Sequence, residues 1–192
     1  MYSLILDSST KILYIALVND DKVLFEKYIE GRNDHAKNIV LAVQEALASS
    51  CISASSLNEV VCGYGPGSYT GVRMAVTVCK MLSVFMNIPL YTVSTLLLMA
   101  SASKGRVLST IDARRGNVFG CILNVEKSEY VVEEKLYLLD EIKQNEFDCE
   151  VNESSFKVDP LYCIKNKKLV EEPHLLVPNY LRDTEAERNL KW

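Results

Sequence analysis

Residues 63–73, Gly-Tyr-Gly-Pro-Gly-Ser-Tyr-Thr-Gly-Val-Arg, decide the fold of this chain. Their four glycines and one proline stand between a short apolar run and a long amphipathic segment, which is typical of a loop from a strand to a helix. Free N–H groups at the start of such a helix suit an anion or a polar partner. A tight turn without a ligand has the same pattern. No Gly-Lys-Ser or Gly-Lys-Thr follows, so the loop is not a P-loop.

Strands and helices alternate in the first half of the chain. Apolar and β-branched runs predict three antiparallel strands and then two strands that flank a helix, over residues 4–6, 12–18, 23–29, 60–62 and 90–93. This order implies a mixed sheet with helices on its faces. We therefore expect an α/β fold whose first lobe spans residues 1–104.

Two long helices of this lobe, expected over residues 35–49 and 69–86, have more apolar surface than a sheet can cover. Each follows residues that can cap it: Asn33 or Asp34 for the first helix, and Ser68 or Thr70 for the second. The second helix is apolar around most of its circumference. Such a helix is buried on two sides or offers one side to a partner.

The pattern restarts after residue 104. Strands are expected over residues 107–111, 117–125 and 130–138, with a hairpin-like turn after the first. We expect a second lobe over residues 105–192. Its pattern weakens after residue 140, and its last ten residues are polar and charged, as in a flexible tail.

Composition narrows the functional classes. The net charge of −4 argues against tight autonomous binding to nucleic acid, which needs a basic face. No apolar run approaches the ~20 residues of a membrane helix, and the N-terminus lacks the pattern of a signal peptide. We expect a cytoplasmic protein without membrane contact, whose six cysteines are free thiols.

Few residues could carry chemistry. Asp7 precedes three hydroxyl residues, where a carboxylate could hold a metal-bound water; an Asx turn that closes a hairpin has the same pattern. Asp112 and the arginines after it could recognise phosphate or carboxylate, or form a solvated hairpin tip. The candidate nucleotide or anion contacts are Asp7, Ser8, Ser9, Thr10, Gly65, Gly67, Ser68, Asp112 and Arg114.

Catalytic patterns are otherwise missing from the sequence. Ile39 stands four residues after His35, where a second metal ligand would be needed, so we expect no metal site. No Ser-His-Asp arrangement or nucleophile elbow can be read. We expect no catalytic residue; the alternative is a small ATPase or phosphotransferase that acts through Asp7, the glycine loop and Asp112.

Four motifs occur here in the order in which the TsaB family, formerly called YeaZ, has them. They are Asp-Ser-Ser-Thr at 7–10, Gly-Pro-Gly-Ser-Tyr-Thr-Gly-Val-Arg at 65–73, Ile-Asp-Ala-Arg at 111–114 and Pro-Asn-Tyr-Leu-Arg at 178–182. The chain resembles this family over nearly its whole length. The resemblance implies an actin-like ATPase fold of the ASKHA group, built from two ribonuclease H-like lobes. Most members of the family are longer, which implies that the second lobe, residues 105–192, is shortened in this chain.

The resemblance also implies a non-catalytic scaffold. Such a subunit dimerises with a TsaD-like enzyme, and with a TsaE-like ATPase, for threonylcarbamoyl transfer to the adenosine beside the anticodon of tRNA. The tRNA is then contacted only through the complex. No intrinsic cofactor is implied, although ATP or ADP with Mg²⁺ could bind at an assembly interface.

The family contact is a bundle of the two long helices. The expected interface residues are Ile39, Val43, Leu47, Val72, Arg73, Met74, Val76, Val78 and Met81. Aspartate in place of Val72, Met74 or Val76 is expected to abolish complex formation while the domain still folds. Without its partner, the chain is expected to form a concentration-dependent homodimer through the same helices.

Overall fold

The computed structural model describes residues 1–31 and 35–181. The caps predicted at Asn33 or Asp34, the Arg182 of the fourth motif and the polar tail lie outside the described residues. The elements are β1 (Tyr2–Asp7), β2 (Ile12–Asn19), β3 (Lys22–Glu30), α1 (His35–Ser49), β4 (Glu59–Gly63), α2 (Tyr69–Met86), β5 (Leu90–Val93), α3 (Thr95–Ala100), β6 (Arg106–Asp112), β7 (Asn117–Asn124), β8 (Glu129–Leu138), α4 (Leu139–Ile142), β9 (Cys149–Asn152), α5 (Pro160–Lys165) and β10 (Lys168–Leu169).

The first sheet has the strand order β10-β5-β4-β1-β2-β3. Strands β1, β2 and β3 form the predicted antiparallel meander, and β4 and β5 continue the sheet parallel to β1. Side chains alternate across β1: Leu4 and Leu6 pack with α1 and α2, whereas Ile5 faces α3. The sheet is therefore mixed and covered by helices on both faces, as the sequence predicts.

The second sheet has the order β8-β7-β6-β9, with β9 parallel to β6 and the other pairs antiparallel. Helix α3 lies between the two sheets, and all six of its residues are buried. A helix that is apolar on every side needs such a position. Its core includes Ile5 and Val61 of the first sheet and Val107 and Phe119 of the second, so one apolar cluster joins the two halves.

The chain returns to the first sheet after α5. Strand β10 pairs with β5 and forms one edge of the first sheet, although residues 105–192 were expected to form the second lobe. The division at residue 104 stays a prediction, and β10 departs from it. A long-range contact lies beside this pairing: the Lys167 side chain forms an ion pair with the buried Glu59 of β4. We call the segment that follows, residues 173–181, the strap.

Candidate functional site

Asp7 lies at the end of β1 and is enclosed by the protein. Its side chain is 2% exposed. Oδ1 accepts a hydrogen bond from the backbone N–H of Ser9 at 2.6 Å, and Oδ2 accepts one from Oγ1 of Thr95 at 2.7 Å. A Cβ at Gly63 would overlap this carboxylate, so glycine allows β4 to approach it. Both oxygens are thus engaged inside the fold.

The glycine loop packs directly on the β1–β2 turn. The N–H of Ser68 donates to the carbonyl oxygen of Ser9 at 2.7 Å, and the N–H of Gly65 donates to Oγ1 of Thr95 at 3.2 Å. The N–H of Gly71 donates to Oγ of Ser68 at 3.3 Å, which confirms Ser68 as the cap of α2. A Cβ at Gly67 would overlap the carbonyl of Ser9. These donors therefore bind protein atoms rather than an anion.

Nucleotide with a metal ion is the ligand that an actin-like ATPase fold implies, and this loop does not fit it. The carboxylate of Asp7 and the N–H groups of Gly65 and Ser68 already have protein partners. Ser8 donates to the carbonyl of Gly71, and Oγ1 of Thr10 accepts from the N–H of Ile12. The turn closes the hairpin and anchors α2, which is the structural alternative that the sequence left open.

Asp112 and Arg114 lie on the β6–β7 hairpin tip and not in this loop. Oδ1 of Asp112 accepts from the N–H of Arg114 at 2.8 Å, and both residues are exposed. Arg114 and Arg115 have φ angles of 67° and 56°, the left-handed region that a tight hairpin tip requires. The structure therefore brings together the candidates of residues 7–10 and 65–68, and it places Asp112 and Arg114 on a different hairpin.

Thr95 is the residue that sequence reasoning missed. Besides bonding Asp7 and Gly65, its Oγ1 lies 3.0 Å from Oγ of Ser9, and its own N–H donates to the carbonyl of Gly65 at 2.9 Å. Thr95 thus connects β1, the glycine loop and α3. The sequence did contain a signal, because the hydroxyl residues Ser94 and Thr95 directly follow a strand, as the hydroxyl residues 8–10 directly follow β1.

Four of the predicted interface residues are buried within the subunit. Ile39, Val43, Val72 and Val76 belong to the core between the sheet and the helices α1 and α2. Their apolar stripes face the sheet, so these side chains offer no surface to a partner. Aspartate at Val72 or Val76 would place a charge in this core, so the burial of the two side chains argues against the expectation that the domain still folds.

The outer face of α2 carries the exposed apolar surface. Phe85 is 81% exposed, Met81 is exposed, and Met74 and Val78 are half-buried. These four follow helical spacing, a signal that the sequence did contain. Of the other expected residues, Arg73 is exposed and Leu47 is half-buried. On α1 and α2, the exposed apolar residues that were not predicted for the interface are Val40, Leu41, Tyr69, Val84 and Phe85.

A groove of about 380 Å³ runs between α1 and α2. Val40, Tyr69, Met74 and Val78 line it, together with Arg73. The guanidinium of Arg73 lies 5.3 Å from the centre of the Tyr69 ring, and its Nη1 donates to the Tyr69 hydroxyl at 2.9 Å. The groove is thus apolar with one cationic edge.

One carboxylate near the junction of the two sheets has an altered pKa. Burial raises the pKa of Glu134 on β8, although hydrogen bonds from Ser94 and Tyr130 act in the opposite direction. The Tyr130 hydroxyl donates to Oε1 of Glu134 at 2.7 Å.

Within residues 1–31 and 35–181, no group of three or more acidic, histidine or cysteine side chains could hold a metal ion. No helix in that part has the length and apolar character needed to cross a membrane.

Comparisons with known proteins agree on one family. A family model described as "TsaD: tRNA N6-adenosine threonylcarbamoyltransferase" matches residues 29–158. The chain is 35% identical over 122 residues to "tRNA threonylcarbamoyladenosine biosynthesis protein TsaB" of Bacillus subtilis (strain 168), covering 62% of this chain and 53% of that protein. It is 36% identical over 124 residues to the protein of the same name from Escherichia coli (strain K12), again covering 62% of this chain and 53% of that protein. The chain thus spans about half the length of these curated relatives.

A solved structure supports the fold over a longer range. "YeaZ from Pseudomonas aeruginosa" superposes with a TM-score of 0.78 at 21% identity, and the match covers 94% of this chain and 99% of that one. At this identity, the likeness is evidence for the fold. Together with the family match, it confirms the predicted α/β fold of the ASKHA type.

Proposed function

The chain belongs to the TsaD family, within its TsaB (YeaZ) branch, and we propose from this that it is a non-catalytic subunit that binds a TsaD-like enzyme. Its curated relatives are named for threonylcarbamoyladenosine biosynthesis in tRNA. The proposed assembly is cytoplasmic and transfers a threonylcarbamoyl group to the adenosine beside the anticodon. In it, this chain provides a binding surface and the enzyme provides the chemistry.

The exposed apolar face of α1 and α2 is the observation that carries this proposal. The inner faces of both helices are filled by the core, yet Phe85, Met81 and Leu41 still point into solvent. Apolar patches of this kind mark sites of protein association. The mostly apolar groove between the two helices adds a concave surface that a partner side chain can enter.

The family match indicates what kind of partner fits. The matched residues, 29–158, include both α1 and α2. An enzyme described by the same model therefore has an equivalent pair of helices. We propose that the two pairs pack against each other, and that two copies of this chain do so in the same way when the enzyme is absent.

The net charge of this chain bears on how the assembly would hold tRNA. With a net charge of −4, this chain is a poor source of phosphate contacts, so the tRNA is bound through its partners. We also propose that a TsaE-like ATPase joins the assembly. ATP or ADP with Mg²⁺ would then lie at a subunit interface, because the groups around Asp7 are engaged with one another. The same engagement argues against the ATPase alternative.

A double variant tests the proposed surface. Phe85→Ser with Met81→Ser removes exposed apolar area and leaves the core unchanged. Burial of one large apolar side chain contributes about 1.5–3 kcal/mol, so affinity for the TsaD enzyme of the same cell should fall by about 10- to 100-fold or more. Isothermal titration measures this affinity, and sedimentation of the free chain should show a loss of the homodimer.

Val131→Ser is the matched control, because Val131 is also an exposed apolar residue but lies on β8 of the second sheet. It should bind as the wild type does. A tRNA modification assay with and without each variant connects binding to function. Wild-type affinity of the α2 double variant, with its thermal midpoint unchanged, would contradict the proposal.

A further inference from the structure

The strap is tied to α2 along its length. Nζ of Lys80 donates to the carbonyl oxygens of His174 at 2.8 Å and Leu176 at 3.2 Å. At the other end, the Tyr180 ring stacks on the Tyr69 ring, with their centres 5.0 Å apart and an angle of 26° between the planes. The strap is therefore a fixed part of the surface beside α2.

The strap presents apolar side chains to solvent. Leu176 packs against the core, whereas its neighbours Leu175 and Val177 are 69% and 66% exposed. Leu175 ends a short 3-10 helix, Pro173–Leu175, after which the chain turns Leu176 toward the protein and Val177 away from it. The outward face adds two aliphatic side chains to the apolar surface of α2. At this exposure, neither side chain contributes much to the core of the subunit.

Two grooves flank α2 and share the same ridge. The first is the groove against α1, and the second, of about 230 Å³, lies between α2 and the strap. Arg73 and Thr77 line both grooves, and Val177 lines the second. A body that covers this ridge therefore reaches the strap as well as α1.

A helix pair is broad enough to reach both grooves. A helix with its side chains is about 10–12 Å across, and packed helices lie about 8–10 Å apart. A pair is thus about 20 Å broad, roughly twice the width of α2. A helix pair centred on the α2 ridge would extend beyond it on both sides, toward α1 and toward the strap.

We infer that the strap is the second half of the partner-binding surface, an inference that rests on the function proposed above. The helix pair of a TsaD-like enzyme straddles α2. One helix of the pair lies in the groove beside α1, and the other lies in the groove beside the strap and covers Leu175 and Val177. Lys80 acts as a positioning residue, since it fixes the strap at the level of α2.

The test replaces the outward side chains of the strap. In the full chain, Leu175→Ser with Val177→Ser should weaken binding to the TsaD enzyme of the same cell by about tenfold or more, at an unchanged thermal midpoint. Lys80→Met keeps the aliphatic stem but removes the donor. It should produce a similar loss of affinity, together with faster amide hydrogen exchange in residues 173–181. Val131→Ser is again the control.

The outcomes separate this inference from the proposed function. If the strap variant binds with wild-type affinity while Phe85→Ser with Met81→Ser loses binding, the inference is wrong and the proposed function stands. If neither variant loses affinity, both fail. If the strap variant loses only self-association, the strap contacts a second copy of this chain, and the inferred partner is wrong.

Discussion

Lys167→Met should destabilise this protein far more than its position near a short edge strand suggests. Its ammonium pairs with Glu59, and the two side chains are only 14% and 3% exposed. Oγ of Ser3 donates to the same carboxylate oxygen at 2.6 Å, and the ammonium lies 4.2 Å from the centre of the Tyr91 ring. Methionine keeps most of the side-chain volume, so the variant removes the charge and the donor rather than opening a cavity.

The expected loss follows from the carboxylate left behind. Removing one partner of a buried ion pair costs about 3–5 kcal/mol, because the other charge stays in the interior without compensation. For a chain of this size, each kcal/mol shifts the thermal midpoint by about 2–4 °C, so the midpoint should fall by roughly 6–20 °C. Urea unfolding followed by circular dichroism measures the free energy directly.

Two further variants make the test specific. Lys143 pairs with Glu150 at 2.9 Å, but their side chains are 40% and 31% exposed, so Lys143→Met should cost about 1 kcal/mol or less. Glu59→Gln combined with Lys167→Met removes the orphaned charge and should restore most of the lost stability. Equal costs for Lys167→Met and Lys143→Met would refute the reasoning.

Two other predictions concern α2 and β8. Gly71→Ala should lower the urea midpoint of unfolding, although alanine favours helices, because its Cβ would overlap the carbonyl oxygen of Ser8. If the variant is as stable as the wild type, the backbone can move to relieve this overlap and the prediction is wrong. Burial raises the pKa of Glu134, so the folded state holds its proton more tightly than the unfolded state, and stability falls as pH rises from the unfolded to the folded pKa. Glu134→Gln should therefore stabilise the protein at pH 7 and lose this advantage near pH 4. Unfolding at both pH values checks this, with the exposed Glu133→Gln as control; an equal effect at both would contradict the stated cause.

Local features of this fold could be predicted because they depend on neighbours in the chain. The run predicted at residues 12–18 is β2, Ile12–Asn19, since β-branched and aromatic residues favour an extended backbone. The start of α2 after Ser68 was predictable because its cap bonds an N–H three residues away. The family could be identified for a similar reason, since its motifs are short and contiguous.

The candidate site depended on contacts that no local pattern contains. Asp7 has the sequence context of a turn that could hold a metal-bound water, but the hydroxyl of Thr95, 88 residues later, donates to its carboxylate. Strand β10 and the strap were also missed, because β10 pairs with β5 and the strap is bonded by Lys80 of α2, which is 94 residues from His174. In each case the deciding partner is distant in the chain, and only the folded backbone brings it near.

By itself, the sequence determined the order of strands and helices, the capped loop and the excess of apolar surface on two helices. Only the tertiary structure decided which side of α2 is exposed. Helical spacing reveals apolar stripes, yet a helix that is apolar around most of its circumference has no unique inner face. The sheet made that choice by packing against Val72 and Val76, and it left Met81 and Phe85 in solvent.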